Sequence, residues 1–182
     1  QLAAAGWHVL DGRLPLPLAV LKRDALAHNI AWMQRFVRER GIELAPHGKT
    51  TMSPELFRRQ LDAGAWGITF ATVTQLAVGV AAGARRCLIA NQVLSDADLA
   101  ALQCLLAAHA GLRVVFLVDS LAQLALIEAW FSAHPGSVPF EVMLEMFDKR
   151  EPVDMITLQQ KLKDRQQLEG VGKLVAQHPG GF

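Results

Sequence analysis

Tyrosine is absent from this sequence of 182 residues, cysteine occurs only twice, and the formal net charge is only +1. No site that depends on a phenol is open to it. The near-neutral charge argues against a nucleic acid or an acidic membrane held by charge alone. Cys87 and Cys104 form neither a C-x-x-C pair nor part of a metal-ligand cluster. They read as buried structural thiols in a reducing, cytoplasmic setting. No apolar run reaches the roughly 20 residues that span a bilayer. His8, His28, His109, His134 and His178 show no metal-ligand spacing. Gln1 to Leu10 lacks the basic region and long apolar run of a signal peptide. A first residue that is Gln rather than Met reads as a chain incomplete at that end.

Apolar residues make up 52% and charged residues 19% of the chain, so it is globular and large enough to bury a core. Short apolar runs alternate with amphipathic ones. Leu16 to Leu21 is an apolar opening segment. Asp24 to Arg40 carries Leu26, Ile30, Met33, Phe36 and Val37 at helical spacing, and Gly41 suits its end. Ile42 to Ala45 reads as a strand ending at Pro46-His47-Gly48-Lys49. A helix starts at Ser53-Pro54, with Ser as cap, and stops at Gly64. The unit recurs: strand Trp66 to Ala71, helix Thr74 to Ala82; strand Arg86 to Ala90, helix from Ser95, with Asp98 completing a capping box. Leu112 to Val118 is an almost wholly apolar strand, Ser120 caps a helix to about Ala133, and Phe140 to Met146 is a fifth strand.

This alternation predicts parallel βαβ units, in either a closed barrel or an open doubly wound sheet. The open sheet usually carries a glycine-rich turn after its first strand. The turn here, Pro46-His47-Gly48-Lys49-Thr50, has neither that fingerprint nor P-loop spacing, which favours the barrel. Each strand also delivers a polar residue near its C-terminal end: Lys49, Thr72, Asn91, Asp119 and Glu145. In a barrel that end builds active sites; the alternative is that polar residues mark where any buried strand meets a loop.

Lys49 stands out because only it and Lys22 occur in the first 146 residues. A desolvated lysine is neutral and attacks aldehydes; a lysine at a strand rim also simply reaches for water. His47, two residues earlier, shares a strand face with Lys49 and either faces the same cavity or serves structure. Thr72, Asn91 and Gln92 are candidates to hydrogen-bond a cofactor or substrate. Asp119 and Glu145 are weaker ones, and Asp119 also suits the start of a helix. Arg58-Arg59 and Arg85-Arg86 read as solvated charges rather than a phosphate clamp.

Pro46-His47-Gly48-Lys49-Thr50, continued by Thr51-Met52-Ser53-Pro54-Glu55, resembles the lysine segment of the D-threonine aldolase, D-serine dehydratase and amino-acid deaminase family. These proteins share an alanine racemase-like N-terminal barrel that binds pyridoxal 5′-phosphate (PLP). The resemblance extends through Pro17-Leu18-Ala19-Val20, Ala25 to Ile30, Arg59 to Ile68, Ala71 to Thr74 and Leu88 to Val93. It implies an α/β fold: a partial TIM-type (β/α) barrel of about five of eight strands, PLP fold type III, over residues 14–146. It implies that Lys49 forms the internal aldimine, a Schiff base with PLP. His47, Thr72, Asn91 and Gln92 are then cofactor-binding candidates. The implied activity is that of a lyase on D-serine, D-threonine or a related D-amino acid, with homodimerisation in full-length relatives. The amino-acid deaminase branch resembles Trp32 to Val37 and Gly48 to Met52 most closely.

The resemblance stops near Met146. Residues 147–182 read as a divergent tail, as a frameshift or truncation would leave. The later strands that supply most of the phosphate cup in relatives, and the domain that supplies divalent-metal ligands, have no counterpart in this sequence. A second reading is therefore a non-catalytic PLP-homeostasis protein, which shares barrel and lysine without a second domain. A third is a fragment that binds nothing.

Overall fold

A computed structural model describes residues 6–138 and the backbone of 141–144. The expected fifth-strand residue Glu145 and the expected tail, 147–182, lie outside the described residues.

The elements run α1 (Arg23–Glu39), α2 (Pro54–Asp62), β1 (Ile68–Phe70), α3 (Val73–Ala81), β2 (Arg86–Gln92), α4 (Asp96–Ala108), β3 (Arg113–Val118), α5 (Leu121–Ala133) and β4 (Glu141–Leu144). The strands form one sheet in the order β1-β2-β3-β4, every pair parallel. Neighbours in sequence are neighbours in the sheet. A doubly wound sheet reverses its order at a switch point; the described sheet does not, as a section of barrel wall requires. The fold is thus α/β, a partial parallel barrel.

Three of the helix ends follow from glycine. After α1, Gly41 sits at φ 63°, its N–H donates to the Arg38 carbonyl at 3.2 Å, and the Ile42 N–H donates to Val37 at 3.1 Å. This pair of bonds is the Schellman motif, which needs a left-handed residue that glycine adopts without strain. The same pair recurs after α2 at Gly64 and after α3 at Gly83.

The first strand departs from expectation. Residues 42–45 form no regular strand; pairing starts at Leu44 and continues past the expected end. The Trp66 N–H donates to the Leu44 carbonyl, Thr69 N–H to Pro46 and Gly48 N–H to Thr69, each at 2.8 Å. The Thr69 hydroxyl adds a 2.7 Å bond to the Ala45 carbonyl. Proline at 46 has no N–H to give, which interrupts the ladder and leaves His47–Thr69 as an isolated parallel bridge. Segment 44–48 therefore flanks β1 as an interrupted edge. The apolar opening segment Leu16 to Leu21 forms no strand, and Leu16, Val20 and Leu21 are exposed.

The helices cover one face of the sheet. Ile68, Phe70, Cys87, Ile89, Val114, Phe116 and Val118 alternate along β1 to β3 and share one buried cluster with Phe57, Leu76, Leu99, Leu102 and Ile127 from α2 to α5. The other face presents Thr69, Leu88, Ala90, Val115 and Leu117, of which Leu88, Ala90 and Leu117 are only half-buried. Helix contact is close: a Cβ on Gly79 of α3 would lie 2.2 Å from Phe70 Cζ. Cys87 is buried as expected. Cys104 is not: it lies on the exposed side of α4, because helical position rather than residue type decides which face it occupies.

Candidate functional site

All strands being parallel, their C-terminal ends share one rim of the sheet. Among the described residues the chain crosses this rim four times, at 47–52, 71–74, 91–95 and 119–121, and β4 ends there at Leu144.

The first arrival is the most constrained. Gly48 is buried, and a Cβ there would lie 2.7 Å from Phe57 Cε1, 2.8 Å from Ile68 Cγ2 and 2.9 Å from Phe70 Cε1. Only glycine lets the backbone rest on that aromatic floor. Residue 48 thus faces the helices, and His47, its neighbour in extended chain, faces the open side of the sheet. The chain then turns through Lys49, Thr50 and Thr51, closed by a 2.9 Å bond from the Met52 N–H to the Gly48 carbonyl. Met52 has φ 44°, the one positive φ on a non-glycine residue among those described, and packs against the core. Such strain persists only where the surroundings over-determine it. Sequence inspection gave no signal of it.

Lys49 is exposed, and it forms no hydrogen bond or ion pair among the described residues. Of the two environments the sequence leaves open for this amine, the described structure shows the water-facing one. The described strands provide one side of a barrel mouth, and water reaches the lysine from the other. His47 is exposed as well.

Thr72 is the N-cap of α3, and its hydroxyl accepts a bond of 3.2 Å from the Gln75 N–H. That oxygen serves the helix first. Gln75 returns the favour to the preceding turn, accepting from the Ala71 N–H at 3.0 Å. The same device recurs at α5: Ser120 accepts from the Gln123 N–H at 3.2 Å, and Gln123 accepts from the Asp119 N–H at 3.3 Å. Ser95 caps α4 and bonds Asp98 in both directions, at 3.1 and 2.8 Å. Ser53 occupies the cap position of α2 without a side-chain bond. The S/T-x-x-Q spacing was the available signal for the two glutamines, a relative of the capping box in which the glutamine accepts from the N–H one residue before the cap.

Gln123 is 2% exposed, and its Nε2 donates to the Leu117 carbonyl at 3.0 Å and the Val93 carbonyl at 3.5 Å. It ties the C-terminal ends of β2 and β3 together. On the rim above it, the Gln92 side-chain Nε2 donates to the Asp119 carboxylate. Asn91 is exposed, its Oδ1 accepting from the Gln92 N–H at 3.1 Å. Four of the five expected rim positions, Lys49, Thr72, Asn91 and Asp119, thus lie on one rim with Gln92.

The rim fits a carbonyl cofactor in one respect: a primary amine stands in a fixed turn, free of an acidic partner among the described residues. It is poorer in phosphate partners, since no arginine and no second lysine occurs in the four described arrivals. Among the described residues no group of three or more His, Cys, Asp or Glu side chains gathers to hold a metal, and no helix is long and apolar enough to cross a membrane. Away from the rim, a groove of about 300 Å³ lies between α1 and α2, lined by Leu26, Ala27, Ile30, Ala31, Arg59, Asp62 and Ala63.

Known proteins resemble this chain over most of its described part. It is 35% identical over 133 residues to a D-threo-3-hydroxyaspartate dehydratase of Delftia sp. (strain HT23), covering 73% of this chain and 34% of that protein. The solved structure of that dehydratase superposes with a TM-score of 0.65 at 32% identity, covering 72% of this chain and 34% of that one. A D-threonine aldolase from Filomicrobium marinum gives a TM-score of 0.63 at 29% identity, covering 71% and 34%. An ala racemase-like protein from Idiomarina loihiensis gives 0.63 at 22% identity, covering 83% and 40%, a likeness of fold alone. The resemblance read from the lysine segment is thus found in sequence and in structure, and the fold is alanine racemase-like. The chain spans about a third of the length of the dehydratase it matches. Residues 119–177 match a further family, described as DnaB-like helicase N terminal domain. The described part of that stretch contains α5 and β4, which continue the βα series.

Proposed function

We propose that this chain, similar to about a third of a dehydratase and of an aldolase of D-amino acids, holds PLP on Lys49 and belongs to a lyase acting on D-serine, D-threonine or a related D-β-hydroxy amino acid. The observation that carries this reading is the placement of Lys49. It is the sole lysine on the C-terminal rim of the described sheet, in a turn pinned by buried Gly48 and strained Met52. A lysine in a fixed turn presents its amine repeatedly to one point in space, as a covalent attachment site needs.

When bound, PLP supplies an aldehyde for the lysine and a ring that withdraws electrons from the substrate α-carbon. The chain supplies the rest. Lys49 would hold the cofactor, and its free amine would take up or return a proton at the α- or β-carbon. His47, on the same face one residue before Gly48, stands beside that path. Asn91 and Gln92 border it from β2, and Thr72 offers whatever hydrogen-bonding capacity its cap leaves. A dehydratase and an aldolase differ in which bond to the β-carbon breaks, so the choice rests on groups facing that carbon. A divalent metal, a cytoplasmic setting and a homodimer are parts of the same proposal, and one solved form of the dehydratase relative is described as metal-free.

The exposure of Lys49 favours one further reading, a PLP carrier without turnover, since nothing among the described residues excludes water from the amine. The test is direct. Incubate the protein with PLP, reduce with borohydride, and locate the label by mass spectrometry. Labelling of Lys49 over Lys22, abolished in Lys49→Ala, is the expected result; equal labelling of several lysines would overturn the proposal. Adding D-serine, D-threonine or D-threo-3-hydroxyaspartate then separates the readings. Release of a keto acid, or of glycine with an aldehyde, marks the lyase, and a chromophore indifferent to all three marks the carrier.

A further inference from the structure

The link between Gln92 and Asp119 constrains more than the backbone. The register between β2 and β3 shifts at the rim: Ile89 pairs with Phe116, and the next pair is Gln92 with Leu117. Ala90 and Asn91 are thus bulged out of the ladder. Bulges re-aim side chains and gather beside functional sites. Paired residues of parallel strands share a face, so Gln92 lies on the same face as Leu117, opposite the helices. Asp119, two residues after Leu117, returns to that face. His47, just before the lysine turn, faces the open side, and its segment lies two strand spacings from β2, or roughly 10 Å. An aromatic cofactor on a lysine stem spans such a gap.

The hydrogen bonds fix which atom each amide presents. A carboxylate only accepts, so the Gln92 NH₂ must face Asp119 and its carbonyl oxygen must point elsewhere. Asn91 accepts from a backbone N–H, so its NH₂ is the free end. Asp119 is itself anchored through its N–H to buried Gln123. The Gln92–Asp119 pair therefore offers an acceptor oxygen and negative charge, which repel a phosphate or a substrate carboxylate and attract a donor, while Asn91 beside it presents an N–H.

We propose that Gln92 is a specificity-determining hydrogen-bond acceptor of the site, taking an N–H or O–H from the molecule held at Lys49, and that Asp119 is the positioning residue that keeps its carbonyl oxygen turned to that donor. The proposal rests on the Lys49 reading. The donor is either on the cofactor ring or on the substrate, as its ammonium or β-hydroxyl. Asp119→Asn removes the constraint, because an asparagine amide can donate and lets Gln92 turn round. Gln92→Leu removes the acceptor.

The experiment uses PLP-loaded wild type, Asp119→Asn and Gln92→Leu, with borohydride labelling of Lys49 run on each. If wild type fails to label at Lys49, the underlying reading falls and this proposal with it. With labelling intact, a cofactor donor predicts that the pH midpoint of the chromophore drops by about one unit in both variants before substrate is added. A substrate donor predicts an unchanged midpoint and a KM for D-threonine or D-serine raised roughly tenfold at near-constant kcat. Either pattern supports the proposal. Labelling intact, with midpoint and KM both at wild-type values in both variants, would overturn it and leave the Lys49 reading standing.

Discussion

The two faces of the sheet obey different rules. On the helix side every space is filled: Ile68, Phe70, Leu76, Cys87, Leu99, Leu102, Phe116 and Ile127 are at most 1% exposed, and neither Gly48 nor Gly79 has room for one more carbon. On the open side Leu88, Ala90 and Leu117 are only half-buried, and the rim above them holds an exposed lysine, a left-handed methionine and a carboxylate that fixes an amide. Stability resides in the first face and candidate chemistry on the second. Gly48 is where they meet, since its contact with the aromatic floor sets the turn that carries Lys49.

The comparison breaks most visibly by emptying the floor. Phe70→Ala should cost about 3–5 kcal/mol, read as a lowered urea midpoint at unchanged slope. Gly48→Ala sharpens it, because one methyl acts on both faces. The floor must shift, at about 1–3 kcal/mol, and borohydride labelling of Lys49 should fall by more than the unfolded fraction explains. Labelling that simply tracks folding would show the two faces to be independent. Ser120→Ala and Thr72→Ala should each cost about 1 kcal/mol. Ser120→Ala should disturb the Gln92–Asp119 end of the rim as well, since Gln123 and Asp119 sit on its turn.

The smallest effect is on the thiols. Burial pushes Cys87 up from 9.0 to about 12. Its folded value lies above the unfolded one, so its contribution is complete below pH 9 and is lost as pH rises toward 12. A thiol reagent at pH 8 should modify Cys104 at once and Cys87 only in denaturant; fast reaction of both would contradict the packing described.

Much of this was legible in the sequence, and the reasons differ by element. The ends of α1, α2 and α3 were readable because Gly41, Gly64 and Gly83 act locally. The strands were readable from apolar runs, and the absence of a glycine-rich turn pointed to the barrel. The edge at 44–48 was misplaced because pairing depends on which N–H meets which carbonyl, and Pro46 interrupts that pattern. Cys104 was misassigned for want of a helix face, and α4 is apolar almost all round. The rim residues Thr72, Asn91 and Asp119 were found as polar punctuation, but their partners Gln75 and Gln123 were not. The exposure of Lys49 was beyond sequence, since solvent access is set by the whole wall around it.

The sheet order has a kinetic consequence. Each described strand pairs with its immediate predecessor along the chain, so no unit waits for a distant partner before it can bury its apolar face. Contact order stays modest, which favours fast collapse for a parallel sheet. A nascent chain leaving a ribosome can lay down one strand and helix at a time, each docking on the last, with the lysine turn emerging ahead of every strand of the described sheet.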